Sequence, residues 1–189
     1  MQLLLKSVAL VIAAISAPVF ADQLVAESDP AYKSVQEQMC AETLCQRNLR
    51  VTLRQKDGGL FDKTFDVFSP IIQELGITVV AGQTVYVEAD IENNRLVNLK
   101  AVDTIVAPEK TLTAKFEQSS DGGMMLRVTS PFKQTIKFDM GIMPLDKDDL
   151  YKTSSCPINQ GIYEMWPDPI FLVMLGNGRV IDSKDMVCR

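Results

Sequence analysis

The chain has 189 residues, with 24 acidic and 19 basic side chains and no histidine, so its formal net charge at pH 7 is −5. The negative charge argues against nucleic acid as a partner, because phosphates repel an acidic surface. The absence of histidine excludes Ser-His-Asp and Cys-His nucleophile systems, imidazole-ligated zinc and histidine acid–base catalysis. The composition therefore favours a non-catalytic protein, and we expect no cofactor.

The first 21 residues have the three parts of an export signal. Lys6 precedes an apolar stretch, and Val19 and Ala21 occupy the small-residue positions that a signal peptidase reads. The apolar stretch is shorter than the about 20 residues that span a bilayer. The sequence thus predicts a signal peptide (1–21) and one exported domain (22–189), periplasmic or secreted, without a transmembrane segment.

Four cysteines follow the predicted signal peptide: Cys40, Cys45, Cys156 and Cys188. An even number in an oxidising compartment predicts two disulfides, for which three pairings are possible. We favour Cys40–Cys45 with Cys156–Cys188. Residues five apart in a continuous helix lie beyond the ~7 Å Cα separation of a disulfide, so the first pair requires that a helix ends between its members. The spacing is poor for a zinc site, which would need all four thiolates.

One short helix is predicted at the start of the exported domain. Asp29 can cap it, Pro30 suits its first turn, and "AYKSVQEQMCAET" follows. After Cys45 the hydrophobic period changes from helical to two.

Period-two alternation then continues through most of the chain. In "NLRVTLRQ", for example, Leu49, Val51 and Leu53 share one face. Eight or nine short runs of this kind, separated by polar turns, are typical of an antiparallel β-sandwich of the immunoglobulin-like or jelly-roll type. The runs cover residues 48–55, 60–68, 77–91 in two pieces, 96–102, 111–118, 124–130, 135–143 and 170–175.

The segment "SSCPINQGIYEMWPDPIF" (154–171) concentrates three prolines and the only tryptophan of the chain. Because Pro157, Pro167 and Pro169 cannot donate to a strand ladder, the sequence predicts an ordered loop over most of residues 156–169. Loops at the end of a sandwich commonly carry function.

The candidate binding residues are the aromatic and acidic side chains of this region: Tyr151, Tyr163, Trp166 and Asp168. Tryptophan and tyrosine dominate interface hot spots and also stack on sugar rings. Trp166 could equally plug one end of the core, and both interpretations stay open at this point.

An acidic run, Asp146, Asp148 and Asp149, precedes these aromatic residues. It is a weak calcium candidate, because the sixth position counted from Asp146 is Tyr151, where an EF-type loop needs glycine. We therefore expect no metal. The run could instead steer a basic protein toward the neighbouring surface.

These observations favour an exported, non-catalytic β-sandwich that binds a macromolecule, protein or glycan, in the cell envelope through the Tyr151–Pro169 region. The first alternative is a carbohydrate-binding module that uses the aromatic loop. The second is a carboxylate-based hydrolase, which predicts two converging acids, one of them with a raised pKa.

Overall fold

The computed structural model describes Glu37, Cys40, Ala41, residues 44–182 and residues 187–188. The predicted signal peptide lies outside the described residues. The predicted helix after Pro30 also lies outside them apart from its three described positions, so it stays a prediction. Among the described residues, no helix has the length and apolar character needed to cross a bilayer.

The described residues form twelve strands, and every pairing between them is antiparallel. They are β1 (Cys45–Arg54), β2 (Leu60–Pro70), β3 (Ile72–Gln73), β4 (Gly76–Val80), β5 (Thr84–Glu92), β6 (Arg95–Val102), β7 (Thr111–Gln118), β8 (Met124–Thr129), β9 (Ile136–Pro144), β10 (Tyr151–Thr153), β11 (Gly161–Trp166) and β12 (Ile170–Val180). The protein is therefore mainly β, as its period-two pattern predicts.

The strands divide into a hairpin and one large sheet. β1 and β2 form the hairpin, and eight strands of the sheet follow the order β10-β9-β12-β6-β5-β7-β8-β11, while β4 pairs with β12 and β3. The alternation predicted for the inner faces is confirmed, because the following side chains are all buried: Leu49, Val51, Leu53, Val85, Val87, Ala89, Leu112, Ala114, Phe116, Met124, Leu126 and Val128.

The two halves of the large sheet face each other across a single core. A cavity of about 10 Å³ lies between them, which is no more than one water needs. One half contributes Ile77, Phe138 and Leu175 to its lining, and the other contributes Val85, Val87, Leu112, Ala114 and Val128. Since both halves line the same cavity, the sheet curls over on itself as in a sandwich.

The β1–β2 hairpin packs on this sheet through aromatic rings. Phe61, Phe65 and Phe68 surround Phe171 of β12, with ring centroids 6.1, 5.8 and 5.9 Å from its own. At the turn of the hairpin, next to Phe61, the backbone N–H of Arg54 donates to a side-chain oxygen at the end of β7 at 2.8 Å. The hairpin is thus fixed at both ends, and its apolar face extends the core.

The two end strands of the sheet, β10 and β11, are consecutive in the chain and meet through side chains. Trp166 Nε1 donates to Thr153 Oγ1 at 3.4 Å, and the backbone N–H of Cys156 donates to Glu164 Oε1 at 2.5 Å. In the described chain no backbone ladder joins the two strands. The sheet therefore closes at a seam formed by side chains and by the segment 154–160.

The loop predicted over most of residues 156–169 is wrong for β11. Its six residues pair with β8 without a register shift, from Gly161 opposite Thr129 to Trp166 opposite Met124. The prolines do not prevent this pairing because Pro157 and Pro167 flank the strand and none lies inside it.

Both disulfides have the predicted pairing. Cys40 is bonded to Cys45 with a Cα separation of 5.3 Å, and Cys156 to Cys188 with 4.1 Å. Cys40 is helical whereas Cys45 begins β1, so the chain changes conformation between them as the bridge requires. Two intramolecular disulfides indicate an oxidising, exported environment.

Candidate functional site

Trp166 faces the interior of the sheet. It is half-buried, and its indole ring packs edge-on against the fully buried ring of Phe116, with 6.1 Å between the ring centroids. Its N–H is bonded across the seam to Thr153. Trp166 therefore closes one end of the core, which is the structural one of its two predicted roles.

Tyr163 lies on the opposite face of β11, because side chains alternate along a strand. Its side chain is 58% exposed. The guanidinium carbon of Arg127, on the adjacent β8, lies 5.4 Å from the centroid of the Tyr163 ring. Such stacking of a cation on an aromatic face holds both side chains in a defined place.

Tyr151 begins the other end strand, β10, where it pairs with Ile142. It is 44% exposed, and the side chain of the preceding Leu150 packs over Gly141 of β9. Tyr151 thus belongs to a different strand from Tyr163.

Asp168 is engaged by the hairpin turn. Its carboxylate lies 2.7 Å from the ammonium of Lys56. The hydrogen bond from Lys56 to Asp168 raises the pKa of the lysine above its ordinary value, and the charge of Asp146 acts in the same direction. The structure therefore does not bring the four predicted residues together into one binding surface. Trp166 points inward, Asp168 is paired with Lys56, and the two tyrosines lie on different strands.

A different group of side chains does come together, on the outer surface of β8 and β11. Tyr163 stands opposite Arg127 in the strand register, and Met165 stands opposite Met125. Met165 is 70% exposed, and Met125 is half-buried beside it. We call these four residues the β8–β11 face.

The β8–β11 face combines apolar area with one cation. Arg127 forms no salt bridge within the described part of the chain. Its neighbour on β7, Lys115, is held by Glu117 at 2.7 Å. The exposed side chains of Tyr163 and Met165 thus accompany a guanidinium that stacks on Tyr163 and forms no ion pair with a described carboxylate.

Interpreting "GIYEMW" as a loop misses Met165, and it also misses the strand pairing that brings Arg127 and Met125 beside Tyr163. In a loop, residues two apart need not lie on the same surface, so the spacing of Tyr163 and Met165 indicates nothing about their position. In a strand, it places both on one surface. The run of alternating residues between the prolines is the signal that could have identified Met165, whereas nothing local indicates the pairing with Arg127 and Met125.

The carboxylates of the acidic run are not gathered into one cluster. Asp146 pairs with its neighbour Lys147 at 3.7 Å, and Asp148 and Asp149 are exposed. Among the described residues, no group of three or more acidic or cysteine side chains is placed to hold a metal ion.

The carboxyl groups with shifted pKa values give the hydrolase alternative no support. In the part of the chain that the structure describes there are three such groups, and hydrogen bonds lower the pKa of each below the ordinary value: Arg50 acts on Asp62, the Ser119 hydroxyl on Asp121, and the Asn177 amide on Asp139. A general acid needs the opposite shift.

No protein-family model, curated protein or solved structure matches this chain. No functional residue can therefore be transferred from a relative. The β8–β11 face has to be interpreted from its own chemistry.

Proposed function

We propose that the chain is a non-catalytic binding protein of the cell envelope, periplasmic or secreted, and that it binds a protein partner through the β8–β11 face. The observation that carries this proposal is the exposure of Tyr163 and Met165 side by side on a regular strand, 58% and 70% respectively, next to Arg127.

The composition of the face favours a protein as the partner. Tyrosine, methionine and arginine are enriched at protein interfaces, whereas lysine, glutamate and aspartate are depleted. Isolated exposed apolar residues are common on any protein, but contiguous ones on a rigid surface are typical of interaction sites. Holding these side chains on paired strands also reduces the entropy lost on binding.

A glycan is the weaker candidate at this face. A sugar ring would need an open aromatic ring surrounded by polar groups that bond its hydroxyls. Arg127 already lies over the Tyr163 ring, and the methionines beside it bring thioethers rather than such groups.

Site-specific photo-cross-linking in the cells that make the protein tests this proposal. A benzophenone amino acid is placed at Tyr163 and, in a matched control, at Tyr151, which is also an exposed tyrosine on an end strand. We expect one discrete protein adduct from position 163, identified by mass spectrometry, and none from position 151. Adducts to polysaccharide, or the same adducts from both positions, would contradict the proposal.

A further inference from the structure

The charges around Arg127 are unbalanced. Where β8 pairs with β7, the residue opposite Arg127 is another cation, Lys115. Where β8 pairs with β11, the residue opposite Arg127 is the neutral Tyr163. The nearest acid on β7, Glu117, is bonded to Lys115. Arg127 thus has its positive charge at the centre of the β8–β11 face without a carboxylate from the described chain.

Burial of this charge against a partner would be costly unless the partner compensates it. A guanidinium that loses water on binding needs hydrogen-bond acceptors, and a carboxylate supplies them with matching bidentate geometry. Because the Arg127 guanidinium lies beside Tyr163 and Met165 on this surface, a partner that contacts these two side chains would also remove water from the guanidinium.

We propose that the partner presents an acidic side chain to Arg127, flanked by apolar side chains that pack on Tyr163 and Met165. This inference rests on the proposed function and specifies the partner's chemistry: a protein segment in which aspartate or glutamate lies between aromatic or aliphatic residues.

An acidic partner is opposite in charge to the partner that the net charge of the whole chain would favour. The net charge of −5 and the acidic run at Asp146, Asp148 and Asp149 point to a basic partner. Contact specificity, however, depends on the groups within a few ångströms of the interface, because the Debye length at physiological ionic strength is about 8 Å. At the β8–β11 face that group is Arg127, and beside it on β7 lies the ion pair of Lys115 with Glu117, whose charges cancel.

Selection from a displayed library of random twelve-residue peptides tests the inference with the oxidised, purified protein. We expect the enriched peptides to contain Asp or Glu next to aromatic or aliphatic residues. Arg127→Gln should weaken the binding of a synthetic enriched peptide by about tenfold or more, since it removes a charge-assisted contact. The matched control Lys115→Gln should change the affinity by less than about threefold, as expected for a surface ion pair.

The outcomes separate the two proposals. Peptides that bind Arg127→Gln as well as the parent protein, but not Tyr163→Ala, would overturn the acidic partner and leave the face as the binding surface. Peptides that bind the Tyr163→Ala/Met165→Ala double variant unchanged, or no enrichment at all, would overturn both.

Discussion

Gly76→Ala is expected to lower the free energy of unfolding by about 4 kcal/mol or more, because two penalties coincide at this residue. Gly76 has φ +139°, which side-chain-bearing residues rarely adopt, and a Cβ there would lie 2.2 Å from the carbonyl oxygen of Leu175 in β12. Relief of this clash would separate β4 from β12 and break ladder hydrogen bonds at the centre of the sheet.

Gly82→Ala is the matched control for this substitution. Gly82 also has a positive φ, +85°, but no atom lies within 4 Å of its added Cβ. It should therefore cost only the backbone strain, about 1–2 kcal/mol. Equilibrium urea unfolding of both variants in oxidising buffer measures the difference, and equal losses for the two would show that β4 does not lie this close to β12.

Phe116→Ala is the second substitution with a large expected effect. The Phe116 side chain is fully buried and supports the edge of the Trp166 ring. Truncation of a buried phenylalanine costs about 3–5 kcal/mol. Because the indole loses its packing partner, the fluorescence of this single tryptophan should also shift to longer wavelength and become easier to quench with acrylamide.

Tyr163→Ala controls for a general effect of removing an aromatic ring near the seam. Its ring is on the outer face, so the free energy of unfolding should change by no more than about 0.5 kcal/mol, with unchanged Trp166 emission. A large stability loss in Tyr163→Ala, or an unaltered Trp166 spectrum in Phe116→Ala, would contradict the assignment of inner and outer faces on β11.

Local patterns were sufficient to predict most strands. Alternation identified the buried sides of β1, β5, β7 and β8, since a half-buried strand needs only its own sequence to show its period. The turn between β5 and β6 also follows a local rule, because Asn93 and Asn94 both have positive φ, 48° and 61°, as a two-residue hairpin turn requires.

The candidate site was harder to predict because it depends on pairing between distant segments. No local signal indicates that β11 pairs with β8, and the prolines around it favoured a loop. Trp166 was ambiguous for the same reason, since only the packing of Phe116 decides which side of the strand it faces. The favoured disulfide pairing is confirmed, although four cysteines alone leave three pairings open, because their spacing does not specify the connectivity.

The central claim is tested most directly by measuring the affinity of the purified cross-linked partner for variants of the β8–β11 face. Tyr163→Ala/Met165→Ala should weaken binding by about 30-fold or more, which corresponds to the loss of at least one interface hot spot. The control Leu150→Ala/Tyr151→Ala truncates two other exposed large side chains, on β10 and the residue before it, and should change the dissociation constant by less than about threefold. Equal affinity of both double variants, each with an unchanged circular dichroism spectrum, would contradict the claim that this face binds the partner.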